Sequence, residues 1–197
     1  MTTVKMLCAI ALGSCAGAAA LATTVDYDEV FDGDLSNDRF NPTAFTLGVG
    51  TNTVSMNVID SNDFDNGDID YFSITIPVGL RLDSITLLES SVPPGGFDSI
   101  AFVGLASGPI FPIDPMFIDP ELLLGFVLTA PEIVGTDITA DLGLSAPVAG
   151  ERVYSFWVQQ TGFELTTVTL GFDVSVIPTP ATAMPLALGA LALRRRR

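Results

Sequence analysis

The chain has 197 residues and a formal net charge of −15, from 23 acidic and 8 basic residues and no histidine. All of the acidic residues lie between Asp26 and Asp173, a stretch in which the only basic residues are Arg39, Arg81 and Arg152. A body with this charge repels phosphate backbones, which excludes nucleic acid as a partner. The absence of histidine excludes a Ser-His-Asp triad and a histidine-ligated metal.

Residues 1–22 have the pattern of a secretory signal peptide. Lys5 supplies a short positive region, an apolar run over 6–12 follows, and an A-x-A cleavage pattern ends at Ala22. The alternative is lipoprotein processing, in which Cys15 is lipidated and becomes the new amino terminus. Either route predicts export through Sec-type machinery. Cleavage after Ala22 would remove the only lysine and both cysteines, so that the mature protein would have no lysine or cysteine nucleophile.

The region over 23–176 shows the period-two alternation of β-strands rather than the 3.6-residue period of helices. Apolar and polar residues alternate over 71–76, 154–159 and 167–176. About nine short strands, each with one apolar face, predict a single all-β domain, an antiparallel β-sandwich of jelly-roll type with no helix outside the termini. Gly, Asn, Asp and Pro separate the further predicted strands, which lie near 45–49, 53–59, 82–89, 99–106, 122–129 and 137–142.

Two acidic loops interrupt these strands. Residues 60–70 hold five aspartates in eleven positions, and hard oxygen ligands at this density suit Ca²⁺. The alternative for this loop is a solvated acidic turn. The second loop, 32–38, would lie beside the first and contribute to the same site if the domain begins with an edge strand; otherwise it is a capping turn. The predicted calcium ligands are Asp63, Asp65, Asp68 and Asp70.

The aromatic residues Tyr71, Tyr154 and Trp157 have two interpretations. They could form a platform for stacking against sugars, but aromatic residues on the central strands of a sandwich usually fill its core. Paired carboxylates could serve glycoside hydrolysis, yet each acidic residue of this chain is equally suited to a turn. We therefore predict that the protein is not an enzyme.

The carboxyl-terminal residues 177–197 have a tripartite pattern of extended backbone, apolar run and basic cluster. The apolar run, 181–193, is shorter than the about 20 residues that cross a bilayer. This tail resembles the PEP-CTERM sorting signal, with threonine where the usual motif has glutamate; the alternatives are a stop-transfer anchor and a frayed apolar tail. The resemblance implies transient membrane anchoring and processing by an exosortase-like enzyme. The residues that carry it are Pro178, Thr179, Pro180, Arg194, Arg195, Arg196 and Arg197.

A second resemblance lies within the predicted sandwich. Asp68-Ile69-Asp70-Tyr71-Phe72, followed by Pro77-Val78-Gly79, resembles the signature of bacterial pre-peptidase C-terminal (PPC) domains, in which an Asp-x-Asp-aromatic strand runs to a Pro-x-Gly turn. Most of 30–176 is also similar to a group of secreted proteins with PEP-CTERM tails. The resemblance implies an accessory binding module or a building block of surface proteins, without a catalytic site of its own.

Together these patterns predict a non-enzymatic exported protein of the cell surface or extracellular matrix, sorted through its tail. It would serve adhesion or the assembly of the envelope or biofilm matrix, with surface polysaccharide or matrix proteins as partners. The alternative is a secreted binding module that recognises carbohydrate or a protein partner.

Overall fold

The computed structural model describes residues 22–59, 68–92, 100–115, 119–162 and 164–178. Within these residues the chain forms ten strands and one short helix. Two 3₁₀ turns, Pro120–Leu122 and Pro131–Ile133, flank the seventh strand. The elements are β1 (Asp26–Asp28), α1 (Glu29–Asp32), β2 (Thr43–Thr46), β3 (Gly50–Val58), β4 (Ile69–Ile76), β5 (Leu80–Ser91), β6 (Ala101–Ser107), β7 (Gly125–Leu128), β8 (Val148–Ala149), β9 (Arg152–Gln160) and β10 (Thr166–Val176).

The strands form two five-stranded sheets, in the orders β1-β3-β10-β5-β8 and β2-β4-β9-β6-β7. The predicted all-β sandwich is confirmed. Both sheets are mixed rather than antiparallel throughout as predicted, because β1 runs parallel to β3 and β2 runs parallel to β4. The other strand pairs are antiparallel. Each sheet therefore has a short parallel strand from the amino-terminal part of the chain at one edge.

The core lies between the sheets and uses the period-two alternation of the sequence. Phe72, Ile74 and Ile76 of β4 face Leu170 and Phe172 of β10 across the sandwich. The ring of Phe72 stacks on that of Phe156 at 4.6 Å between centroids, and Phe172 meets both rings edge-on. Burial of such rings supplies apolar contact area together with favourable aromatic geometry.

A second apolar cluster covers the outer face of the β4 sheet. Tyr71 and Trp157 point away from the main core, and Phe111 and Ile113 from the segment over 108–115 pack on them. The Phe111 N–H donates to the Arg39 carbonyl at 3.0 Å, which ties this segment to the amino-terminal part. Tyr71, Trp157 and Tyr154 are 2%, 3% and 7% exposed, so these aromatics fill the interior, as aromatics on central strands usually do.

The prediction of a strand over 137–142 is wrong. These residues form turns, with one isolated bridge between Asp137 and Thr86. Asp137 Oδ1 accepts a hydrogen bond from the Thr139 N–H at 2.9 Å, so a local side-chain bond takes the donor that a strand ladder would use. Ile138 and Leu142 are nevertheless buried in the core.

Three short elements have no counterpart in the predicted pattern: β1, α1 and β8. Each spans four residues or fewer, which is too short for a period to be visible. The prediction of no helix outside the termini is therefore wrong for the single turn of α1. Within the described residues, no helix has the length and apolar character needed to cross a membrane.

Candidate metal centre

A tight turn in the amino-terminal segment, β1 and α1, brings acidic residues close to the sandwich. Asp28 caps α1, because its Oδ1 accepts the Val30 N–H at 3.0 Å. Gly33 ends the helix at φ 105°, a conformation that L side chains rarely adopt. The Tyr27 hydroxyl donates to the Gly33 carbonyl and holds this turn in place. Asp34 follows directly.

The carboxylate of Glu29 links this segment to the β3 sheet. Its Oε1 accepts the Leu35 N–H at 2.9 Å, and its Oε2 accepts the Asn57 N–H of β3 at 2.7 Å. Leu35 is 3% exposed and belongs to the main core. One residue later, the Ser36 carbonyl accepts the Tyr71 N–H of β4 at 2.8 Å. The segment over 29–36 thus contacts both sheets.

Asp70 is the second residue of β4 and lies on the core-facing row of that strand, two residues before Phe72. Its side chain is fully buried, at 0% exposure, and neither of its carboxylate oxygens has a hydrogen-bond partner among the residues that the structure describes. A buried polar group without a partner costs about 1–3 kcal/mol, and a charged one costs more. Native structures keep very few such groups, so this carboxylate calls for a physical explanation.

The side chains of Glu29, Asp34 and Asp70 converge on one point. Each offers a carboxylate oxygen, and these three atoms lie within 4.8 Å of one another. Two oxygens bound to one Ca²⁺ at about 2.4 Å are at most about 4.8 Å apart, so the spacing suits a shared ion. Glu29 is half-buried, Asp34 exposed and Asp70 buried, so the cluster opens to solvent on the Asp34 side.

Burial, together with neighbouring acidic groups, raises the pKa values of Asp70, Glu29 and Asp68. The pKa of Asp70 rises to about 9, first through burial and then through the charges of Glu29, Asp68 and Asp34. Burial raises the pKa of Glu29 to about 7 against the opposing effect of its two backbone hydrogen bonds. The pKa of Asp68 rises to about 6, through burial and the charge of Asp34. The cluster therefore disfavours its own ionisation.

The predicted calcium ligands divide between two places. Asp70 belongs to the carboxylate cluster, and Asp68 is half-buried beside it, with its N–H donating to the Ile59 carbonyl at 3.3 Å. Asp63 and Asp65 lie outside the described residues. The second acidic loop does lie beside Asp70: β1 is an edge strand, and Asp34 is in the cluster.

The sequence analysis missed Glu29, and it did not predict that Asp70 is buried. A signal for Asp70 was present, because extending the alternation of Phe72, Ile74 and Ile76 back by one step places Asp70 on the same face. Glu29 had no such signal: it reaches the cluster through the parallel pairing of β1 with β3, a contact between distant parts of the sequence.

Of the predicted sorting motif, Pro178 is the last described residue and is exposed. Thr179, Pro180 and the four terminal arginines lie outside the described residues, as does the signal segment before Ala22. Comparisons of the chain with protein families, with curated proteins and with solved structures find no match. Function is therefore inferred from the residues of this chain alone.

Proposed function

We propose that the protein is a non-enzymatic component of the cell surface or extracellular matrix, exported by its amino-terminal segment and sorted through its carboxyl-terminal tail. Its sandwich domain would act in adhesion or in assembly of the envelope or biofilm matrix. Sec-type machinery would export the protein through its amino-terminal segment, and an exosortase-like enzyme would process its carboxyl-terminal tail. Surface polysaccharide or matrix proteins would be its partners.

The position of the domain within the chain is the observation that supports this proposal. The first strand begins at Asp26, a few residues after the predicted cleavage site, and the last strand ends at Val176, just before Pro178. β10 is a central strand of its sheet, and the Ile177 N–H still donates to the Gly79 carbonyl at 2.8 Å. Within the described residues, the strands of both sheets thus lie between the two predicted address segments.

The burial of the carboxylate cluster argues against a catalytic role for it. Raised pKa values are typical of catalytic acids, and the pKa of Asp70 rises to about 9. A general acid must come within hydrogen-bonding reach of its substrate, whereas Asp70 has no exposed surface. The cluster is better suited to a structural role.

A secreted module that binds a protein partner is the second candidate, and the edge strand β7 favours it. Phe126 and Leu128 of this strand are 52% and 49% exposed on the edge of the β4 sheet. Exposed apolar edges of this kind are used in strand addition by partners. The carbohydrate version of this candidate has less support, because Tyr71, Tyr154 and Trp157 are buried.

Cell fractionation of the full chain tests the proposed function. In a host with an exosortase, we expect the wild type in the surface or medium fraction, cleaved at both ends. Replacing Arg194, Arg195, Arg196 and Arg197 by serine should leave the protein exported but missorted. Arg152→Ser removes an exposed arginine from the domain and is the matched control, with unchanged sorting. Retention of the uncleaved wild type in the cytoplasm would overturn the proposal.

A glycan array and a pull-down with matrix extract separate the two candidates. Selective, saturable binding to one glycan or one protein, lost in Phe126→Ser, would favour the binding module. A matrix defect in a deletion strain, restored by the wild type and equally by Phe126→Ser, would favour the structural role.

A further inference from the structure

We propose that Glu29, Asp34 and Asp70 bind one Ca²⁺ ion, which fastens the amino-terminal segment over 26–36 to both sheets of the sandwich. This site differs from the acidic loop over 60–70 that the sequence pattern predicts. It includes two residues from outside that loop, and the proposal does not depend on where the protein is localised.

The unpartnered carboxylate of Asp70 is the first observation behind this proposal. It is fully buried, and both of its oxygens lack a hydrogen-bond donor. A bound cation supplies the missing partner for such a group, because buried charges in proteins are paired with opposite charges or coordinate metals. Asp70 points at the one place where two further carboxylates of the described residues approach it.

The second observation is that the arginines of the described residues form ion pairs or hydrogen bonds elsewhere and do not pair with the Asp70 carboxylate. Arg39 pairs with Asp114 at 3.7 Å and lies over the Phe40 ring, and Arg81 pairs with Asp83 at 2.8 Å. Arg152 donates to the neighbouring Glu151 carbonyl. The charged neighbours that act on Asp70 are acidic. None of the arginines in the described part of the chain therefore compensates the cluster, which leaves a proton or a cation from solution to do so.

The donor set favours Ca²⁺ among the common cations. All three donors are hard carboxylate oxygens, which suit Ca²⁺ and Mg²⁺. They come from a helix, a loop and a strand, and only one of them is exposed. Ca²⁺ accepts such irregular geometry, whereas Mg²⁺ requires a near-ideal octahedron at about 2.0–2.1 Å and is reluctant to lose its water shell. The exposed side at Asp34 gives an ion a path into the site.

The location of the ligands explains what the ion would do. Glu29 follows β1 and is bonded to β3 through the Asn57 N–H, while Asp70 belongs to β4 in the opposite sheet. Asp34 lies between them on the chain, next to the buried Leu35. An ion that coordinates all three would therefore join the two sheets at this end of the sandwich and hold the first strand in place.

Thermal melting of the full chain tests the proposal, in chelator, in Ca²⁺ and in Mg²⁺ at equal concentrations near 10⁻³ M, the range of extracellular calcium modules. At a tenfold excess of Ca²⁺ over Kd, we expect the melting temperature to rise by about 3 to 6 °C. Mg²⁺ should give a clearly smaller shift. An equal shift with Mg²⁺, or no shift with either ion, would overturn the proposal.

Four variants locate the response. Asp70→Asn and Asp34→Asn should each abolish the shift; Asp34 is exposed, so its variant retains the fold. Asp141→Asn removes an exposed carboxylate outside the cluster and should respond as the wild type does. A response that persists in Asp34→Asn but disappears in the double variant Asp63→Asn, Asp65→Asn would place the ion in the loop over 60–70 and overturn the proposed ligand set.

Hydrogen exchange gives a local readout that a general stabilisation would not. The Leu35 and Asn57 N–H groups donate to the Glu29 carboxylate. Their exchange should slow in Ca²⁺ at temperatures well below melting. The Ile85 N–H, which donates to Thr139 Oγ1 away from the cluster, should not change. Equal slowing at all three amides would contradict a fastened amino-terminal segment.

Discussion

Asn52 in β3 and Asp70 in β4 are both fully buried polar side chains near the amino-terminal segment, but their surroundings differ. The Asn52 oxygen accepts the Val25 and Gly48 N–H groups at 2.9 Å, and its amide donates to the Gly48 and Phe172 carbonyls. The two carboxylate oxygens of Asp70 have no hydrogen-bond partner among the described residues. The hydrogen bonds of the Asn52 side chain are satisfied within the protein, whereas no group in the described part of the chain donates to the Asp70 carboxylate.

The two side chains represent two ways of attaching the amino-terminal segment to the sandwich, one through neutral hydrogen bonds and one through charged carboxylates. Asn52 holds residue 25 through fixed dipoles that act under all conditions. The carboxylate cluster holds residues 29–34 only when its charges are compensated, so its contribution varies with protons and metal ions. We therefore expect substitutions at Asn52 to act in the same way in all solutions, and substitutions at Asp70 to depend on the solution.

Asn52→Ala should give the largest effect of all. It leaves the Val25 and Gly48 N–H groups and the Phe172 carbonyl without their partner, at about 1–3 kcal/mol each. We expect a loss of about 4 kcal/mol or more in the free energy of unfolding, measured by urea denaturation, with and without Ca²⁺. Asn57→Ala on the same strand is the control and should lose at most about 1 kcal/mol, because Asn57 is only half-buried. Equal losses in the two variants would show that the hydrogen bonds of the Asn52 side chain do not stabilise the fold more than those of a half-buried asparagine.

The metal-free protein should lose stability as the pH rises. The pKa values of Asp68, Glu29 and Asp70 rise in the folded state to about 6, 7 and 9. Groups with raised pKa values favour the folded state fully below their unfolded values near 4, and this stability is lost as the pH rises through the folded values. The loss is at most about 1.4 kcal/mol per pH unit for each group.

Denaturation in chelator between pH 5 and pH 9 measures this loss. Ca²⁺ should reduce it, because a bound cation stabilises the ionised carboxylates. Tyr27 faces the same cluster, but it titrates above this range, since burial and the neighbouring charges raise its pKa further. Stability that increases from pH 5 to pH 9 in chelator would show that the cluster is not buried as described.

Asp70→Asn should recover at least about 1.4 kcal/mol of that loss at pH 8 in chelator, the equivalent of one pH unit. The amide has the same shape, carries no charge and can donate to the oxygens of Glu29 and Asp34. Asp173→Asn is the matched control: its two oxygens accept hydrogen bonds from Thr51 and Ser84, so this change should destabilise the protein. Urea denaturation measures the free energy of unfolding of both variants. A lower value for Asp70→Asn than for the wild type would mean that the charge of the Asp70 carboxylate is already compensated without metal.

The comparison also shows how far the sequence could predict this molecule. The sandwich was predictable, because long alternating runs such as 71–76 and 167–176 lie on central strands with one face on the core. The acidic loops were predicted to supply oxygen ligands for Ca²⁺, and that role stays a prediction.

What the sequence could not supply is the pairing of β1 with β3 and of β2 with β4. Both pairs are parallel contacts of short strands, and period and composition carry no information about them. These contacts bring Glu29 to Asp70, so the make-up of the cluster depends on the fold rather than on a motif. The burial of Asp70, by contrast, follows from its place in the alternation before Phe72.

The smallest expected effect is that of Gly33→Ala, which tests whether the turn after α1 positions Asp34. Gly33 has φ 105°, and no atom lies within 4 Å of an added Cβ, so the alanine meets backbone strain and no clash. With ψ 168°, this is an extended positive-φ conformation that is essentially restricted to glycine, and forcing alanine into it costs about 1–3 kcal/mol. Gly108→Ala is a control with a similar φ of 101° and equally open surroundings, but Gly108 follows β6, away from the cluster.

We expect both variants to lose similar stability in chelator and only Gly33→Ala to bind Ca²⁺ more weakly, as measured by calorimetric titration. Equal calcium affinity in the two variants would show that the turn does not set the position of Asp34, and the ligand role of that residue would then rest on the Asp34→Asn result alone.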